Sequence, residues 1–212
     1  MSRVLLSGFA DESALSKKAN EQFAALAAIG LKYYSIRFVD LGDGIKNVMA
    51  LSDGDIKTLQ GLHGDYGLNV SSIGSPIGKV KLLDVDDGTS NKYVPFDTYL
   101  KEDVQTACDR AEAFGCKLLR GFSFYHPKGT APEKHVDQVV DQLGQIASAC
   151  DARGLTFGLE VEANLVGQTG DLLAEIAKRV NHPAIVGASP RGTSSTKKIR
   201  MTPSTRLLLS TF

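Results

Sequence analysis

Apolar residues along the chain fall into two alternating patterns. Short runs rich in β-branched and aromatic residues recur at Val4 to Phe9, Tyr33 to Phe38, Leu68 to Ile73, Lys117 to Phe122, Leu155 to Val161 and Ala184 to Val186. Such runs read as strands. Between them lie stretches with helical spacing. Val136, Val139, Val140, Leu143, Ile146, Ala147 and Cys150 keep an i, i+3, i+4, i+7 stripe, which predicts one face of a helix. Phe23, Leu26, Ala27 and Gly30 mark a second face, and Leu172, Leu173, Ile176, Ala177 and Val180 a third. A helix is also predicted over Phe96 to Phe114. A less apolar one, carried by Ile56, Leu59 and Leu62, is predicted over Asp53 to Tyr66.

The junctions repeat. Ala28-Ile29-Gly30-Leu31, Tyr66-Gly67-Leu68, Phe114-Gly115-Cys116-Lys117 and Arg153-Gly154-Leu155 each join a helix to a strand through glycine. Glycine suits that place because the residue after a helix commonly takes a positive φ, where a Cβ clashes. A serial β/α chain with a parallel sheet follows. Successive strands start roughly 30 to 50 residues apart, close to the repeat of a (β/α)₈ barrel. About six of the eight units of such a barrel are legible. The fold class is therefore α/β, a TIM-barrel type that is incomplete over residues 1–188, with an open doubly wound sheet as the alternative.

Composition changes the picture at one end. The chain of 212 residues carries 24 basic and 24 acidic side chains. Arg191, Lys197, Lys198, Arg200 and Arg206 lie in a Ser/Thr-rich tail, residues 189–212, that holds no acid, so the body before it is net acidic. The tail has no helical period and only Leu207-Leu208-Leu209 as an apolar run, which predicts irregular chain. A neutral chain lacks the broad basic field of a nucleic-acid-binding protein. No run long enough to span a membrane occurs, and an acidic residue appears too early for a signal peptide. Cys108, Cys116 and Cys150 are odd in number and lack metal-type spacing, so they read as reduced, buried thiols of a cytoplasmic protein. Neither G-x-G-x-x-G nor G-x-x-x-x-G-K-[ST] is present, which removes the usual nucleotide cradles.

In a barrel, chemistry sits at the C-terminal ends of the strands. Those ends carry Asp11 and Glu12, Arg37, Ser75 and Lys79, Arg120 with Phe122, Tyr125 and His126, and Glu160 with Glu162. Each has a second reading. Asp11 and Glu12 suit a helix N-terminus. Arg120 clamps an anion bidentately or pairs with Glu160, and Arg37 has the same two options. Lys79 meets a phosphate or carboxylate or is a surface lysine. His126 is a ligand-facing or a plain loop histidine, and His63 and His135 read as structural. Phe122, Phe124 and Tyr125 floor a cleft or pack a core. Glu160 closes an apolar strand, where an unpartnered carboxylate is costly, so it calls for an ion or a cation beside it.

Four segments carry a resemblance: Gly8-Phe9-Ala10-Asp11-Glu12; Ser72-Ile73-Gly74-Ser75-Pro76-Ile77-Gly78-Lys79; Arg120-Gly121-Phe122-Ser123-Phe124-Tyr125; and Leu159-Glu160-Val161-Glu162 with Gly167-Gln168-Thr169. Together they resemble the sugar phosphate isomerase/epimerase family of the xylose isomerase-like TIM barrels, over about residues 4 to 188. The resemblance implies a divalent metal (Mn, Mg, Co or Zn) at the strand ends, with Glu160 as its first ligand. It also implies Asp, His and Glu ligands on three later strands. Ala188-Ser189-Pro190-Arg191 stands where the next carboxylate belongs, and no later segment matches.

The resemblance implies metal-dependent aldose–ketose isomerisation or epimerisation of a sugar or sugar phosphate. Glu160 and Glu162 are then the catalytic residues, and Arg37, Ser75, Lys79, Arg120, Tyr125 and His126 bind substrate. With three ligands unmatched, impaired activity is expected, and the tail is expected to replace the later strands. The alternative is a non-catalytic remnant or a carbohydrate- or anion-binding module, with a possible homodimer covering its open strand edges. A DNA-repair phosphodiesterase of the related endonuclease type fits poorly, since only four histidines occur.

Overall fold

The computed structural model describes residues 3–188 and 205–209. In chain order the elements are β1 (Arg3–Ser7), α1 (Ala19–Ala28), β2 (Tyr33–Ile36), β3 (Phe38–Asp40), β4 (Ile45–Asn47), α2 (Asp53–Tyr66) and β5 (Asn69–Ile73). There follow α3 (Phe96–Lys101), α4 (Asp103–Ala113), β6 (Leu118–Gly121), α5 (Val136–Asp151), β7 (Thr156–Glu160), α6 (Gly170–Val180), β8 (Ile185–Ala188) and β9 (Thr205–Leu209). All six predicted strands are present, and the four joint glycines Gly30, Gly67, Gly115 and Gly154 take φ of 78, 63, 65 and 64°. No helix of the described residues is long and apolar enough to cross a membrane.

The chain divides into two compact units. The first contains the chain up to Ser75 and Asp109–Leu118, with β9. Here β1 pairs in parallel with β9, Arg3 opposite Thr205 and Ser7 opposite Leu209. Irregular chain is expected over 189–212, yet Leu207 to Leu209 and the two residues before them are extended on β1. The remainder of that tail lies outside the described residues. β2 pairs in parallel with β5 through a bulge at Tyr34/Ser35. A hairpin absent from the strand pattern, β3–β4, is closed by Asp40, whose Oδ1 accepts from the Gly42 and Gly44 amides at 2.7 and 3.1 Å.

Helix α2 starts where Ser52 and Asp55 form a reciprocal capping box, so its weak apolar stripe does not decide its existence. Phe23, Tyr34, Leu59 and Ile73 are buried in this unit. The Tyr34 hydroxyl meets His63 Nε2 at 2.6 Å, and the His63 ring packs against Phe23 and Phe114. Burial lowers the His63 pKa to about 4, so the ring is neutral, and its tautomer sets which partner donates in the bond to Tyr34.

The second unit contains Pro76–Cys108 and, among the described residues, 119–188. Strands β6, β7 and β8 lie in that order, with Phe157 opposite Ile185 and Glu160 opposite Ala188. Helix α5 buries Val136, Val139, Leu143, Ile146, Ala147 and Cys150, as the stripe predicts, and adds Gln142. α6 is capped by the Thr169 hydroxyl and ends on Asn181 in the left-handed region. The helix predicted over Phe96 to Phe114 is two, because Glu102 (φ −109°, ψ −68°) leaves helical geometry between α3 and α4. All three cysteines are buried thiols outside any disulfide.

Candidate functional site

In the first unit, the strand-end charges form a closed rivet. Asp11 is 1% exposed. Its Oδ2 accepts from Arg37 Nε and Nη2 at 3.0 and 2.8 Å, and Arg37 Nη2 also donates to Glu12 Oε1 at 2.7 Å. Lys17 lies 3.8 Å from the same carboxylate. The Arg37 guanidinium rests over the Phe9 ring at 4.6 Å, a cation–π contact that fixes its plane. The serines of this unit bond among themselves: Ser7 to Ser71 at 2.5 Å and Ser72 to Ser35 at 2.7 Å. Ser75 is fully buried.

In the second unit, the strand-end residues build an open platform. Pro76 to Lys79 is a tight turn, closed by Lys79 N donating to Pro76 O at 2.9 Å. Gly78 occupies its third position with φ 89°, as a type II turn requires. A Cβ there would overlap the Phe122 carbonyl. The turn is stitched to the chain after β6: Phe122 N donates to Ile77 O at 2.7 Å, Phe124 N to Gly78 O at 2.9 Å, and Gly78 N to the Tyr99 hydroxyl at 2.7 Å. This close approach is why the Ser-Pro-Ile-Gly-Lys segment needs its glycine.

The result places two cations around one buried ring. Lys79 Nζ lies 4.4 Å and the Arg120 guanidinium 4.9 Å from the centre of the Phe122 ring. Each cation has a carboxylate from the end of β7: Lys79 Nζ donates to Glu162 Oε1 at 2.7 Å, and Arg120 Nη1 to Glu160 Oε2 at 3.4 Å. Side chains of Lys79, Glu160 and Glu162 keep 30, 27 and 35% of their exposure, whereas Arg120 keeps 12%. Gly121 carries no side chain because the Phe157 ring occupies that space. Phe122 itself is fully buried, so it orients the cations and offers no face of its own.

The remaining candidates fall beside this cluster or away from it. Tyr125 is half-buried, and burial followed by the Glu162 charge raises its pKa. His126 turns to its own loop: Nδ1 lies 3.2 Å from Pro127 O, and its ring stacks on His135 at 6.2 Å. Burial, then His126 and Lys134, lower the His135 pKa. The Gly167-Gln168-Thr169 segment serves as a helix start, with Gly167 N donating to Ser123 Oγ at 2.7 Å and Thr169 capping α6. Sequence reasoning misses the Lys81–Asp87 ion pair at 2.8 Å, nearly buried at 10 and 8% exposure, where Asp87 also accepts from the Lys128 amide. Charge-assisted bonds from Lys81, Lys128 and Thr89 hold the Asp87 carboxyl well below the usual range. Its only sequence signal is the Asp86-Asp87-Gly88 turn pattern.

The donor set does not suit a divalent metal. Glu160 faces a guanidinium and Glu162 an ammonium. Among the described residues, no group of three or more His, Cys, Asp or Glu side chains converges. Structural zinc sites use four such ligands and catalytic ones three. The position expected for the next carboxylate, after Ala188, lies outside the described residues.

A family model described as "Xylose isomerase-like TIM barrel" matches residues 23–187. Solved structures similar to this chain include a D-allulose 3-epimerase from Methylomonas sp. at 20% identity and a TM-score of 0.61, covering 88% of this chain and 63% of that one. A xylose isomerase-like TIM barrel protein from Mycobacterium smegmatis in complex with magnesium matches at 17% identity and 0.57, covering 86% and 63%. An AP endonuclease, family 2, from Brucella melitensis matches at 16% identity and 0.59, covering 88% and 67%. The chain thus spans about two thirds of the length of these structures. No curated protein matches it.

Proposed function

The chain belongs to the xylose isomerase-like TIM barrel family, and from that premise we propose that it is a sugar isomerase/epimerase-type domain. Its second unit holds a sugar or sugar phosphate on the Lys79, Arg120, Glu160 and Glu162 platform. One observation carries this reading: two cations anchored on Phe122, each facing a carboxylate from the end of β7, with three of the four side chains partly exposed. Adjacent sugar hydroxyls are both donors and acceptors. They can accept from Lys79 and Arg120 while donating to Glu160 and Glu162, and a phosphate would be met by the same two cations.

Glu160 and Glu162 are the carboxylates positioned to pass a proton between neighbouring carbons, as isomerisation or epimerisation requires. Both are occupied by cations, and no metal-ligand set accompanies them, so turnover by the described residues is impaired in this reading. No metal-assisted step is assigned. A plain carbohydrate-binding role is the weaker form of the same proposal.

Titration calorimetry with D-allulose, D-tagatose, D-fructose and their 6-phosphates tests it. Binding of at least one is expected. Arg120→Met should weaken it about tenfold, the value of one lost charge-assisted hydrogen bond, with a cooperative melt retained. The proposal fails if none of these compounds binds, or if Arg120→Met leaves affinity unchanged. Proton exchange is read separately, as deuterium entering the sugar from D₂O, and little or none is expected.

A further inference from the structure

Lys79 reaches the platform from a turn whose shape is set by a residue outside it. The central peptide of the Pro76–Lys79 turn joins Ile77 to Gly78, and it is held at both ends. Ile77 O accepts from Phe122 N at 2.7 Å, and Gly78 N donates to the Tyr99 hydroxyl at 2.7 Å. The first bond is backbone to backbone and does not depend on side-chain identity. The second comes from a side chain of α3, 21 positions along the chain.

Tyr99 is a fixed point for that bond. It is 3% exposed. Its ring packs edge-on to Phe124 at 6.3 Å, and Phe124 N donates to Gly78 O at 2.9 Å. Ring and hydroxyl therefore converge on the same glycine. Burial above all pushes the Tyr99 phenol up in pKa, with the Gly78 amide opposing, so the hydroxyl stays neutral and the contact does not titrate near neutral pH. Gly78 has no side chain to pack, and at φ 89° a Cβ would overlap the Phe122 carbonyl. Bonds to its peptides must hold it instead. Without the Tyr99 oxygen the buried Gly78 amide loses its partner, a costly state that movement of the turn relieves. Phe122 is fully buried and Arg120 belongs to β6, so neither is placed by the Tyr99 bond.

We infer that Tyr99 is a positioning residue of the platform. Its hydroxyl fixes the Pro76–Lys79 turn, and so holds the Lys79 ammonium over Phe122 at 4.4 Å and against Glu162 at 2.7 Å. Tyr99 acts through Lys79 and not by touching a ligand. Its bearing on binding rests on the platform being the ligand site; its bearing on Lys79 does not.

Tyr99→Phe removes the oxygen and keeps the ring. In the full chain, the Lys79 ε-methylene and Arg120 δ-methylene protons are read by ¹H–¹³C NMR, assigned by their loss in Lys79→Met and Arg120→Met. Both are expected upfield in the parent chain, from the ring current of Phe122. In Tyr99→Phe the Lys79 signal should move towards that of an exposed lysine while the Arg120 signal holds. A Lys79 signal that is not upfield in the parent chain, or that stays in place in Tyr99→Phe, overturns the inference. Loss of both shifts together also overturns it, because the substitution then loosens the whole unit.

Binding gives a second readout. For a sugar or sugar phosphate that binds the parent chain, Tyr99→Phe should weaken affinity about fivefold, the value of one hydrogen bond. It should have no effect in a Lys79→Met chain. An equal loss in both backgrounds overturns the inference, since Tyr99 would then act by another route. If no compound binds, the platform reading fails, and the NMR signals alone decide the role of Tyr99. Should Tyr99→Phe not melt cooperatively, hydrogen exchange at the Gly78 amide of the parent chain decides. Slow exchange is expected there, and exchange as fast as in an open turn overturns the inference.

Discussion

Two charged clusters in this chain use the same residue types to opposite ends. In the first unit, Asp11, Glu12 and Arg37 meet beside Phe9. In the second, Lys79, Arg120, Glu160 and Glu162 meet around Phe122. Each sets an arginine on an aromatic ring and gives it a carboxylate. Burial separates them. The Asp11 side chain is 1% exposed and accepts two bonds from one guanidinium, whereas Glu162 is 35% exposed and accepts one from a lysine. A buried carboxylate is strongly coupled to its cation because losing either leaves a charge in a poor solvent. An exposed pair exchanges freely with water, or with ligand hydroxyls, and contributes little to stability. Residue identity at a strand end therefore does not separate a rivet from a binding surface; exposure does.

The contrast is most easily broken by Asp11→Ala. Removing the carboxylate leaves Arg37 with Glu12 alone and takes the acidic partner from Lys17, and should cost about 3 kcal/mol, read as a lower midpoint in urea unfolding. A loss below about 1 kcal/mol would show that the first cluster is as loosely coupled as an exposed pair. An intermediate effect is expected from His63 in the same unit. Its folded pKa of about 4 lies below the unfolded value near 6.5. Between those values the unfolded chain binds the extra proton, so stability falls as pH drops from about 6.5 towards 4. Thermal melts of His63→Leu across that window should show a flatter dependence than the parent chain; an unchanged slope would assign the acid sensitivity to other groups. The smallest stability effect is expected from Glu162→Gln in the platform, under about 1 kcal/mol, alongside weakened sugar binding in calorimetry. A large loss of stability there would turn the platform into a second rivet and would falsify its reading as an accessible surface.

Particular elements show what was legible. α5 was readable from its stripe because one face of a long helix must be apolar. The joint glycines were readable because positive φ selects them. The β3–β4 hairpin was not, since Phe38 to Asp40 and Ile45 to Asn47 are each too short to show an alternation, although Gly42-Asp43-Gly44 marks the turn between them. β9 was hidden in a Ser/Thr-rich tail whose composition suits exposed chain. Of the candidate site residues, Lys79, Arg120, Glu160 and Glu162 are brought together. Arg37 is engaged by Asp11 and Glu12, His126 packs on His135 in its own loop, and Ser75 is buried.

The sequence by itself determined the order of strands and helices, the faces they bury and the charged residues that close each strand. Those properties follow from local periodicity and backbone preference. Only the tertiary structure decided which cation meets which carboxylate, and that Phe122 lies beneath both Lys79 and Arg120. The physical reason is range. Periodicity is written within a few residues, whereas Lys79 reaches Glu162 across 83 positions of chain, and no local pattern encodes a distance that only packing sets.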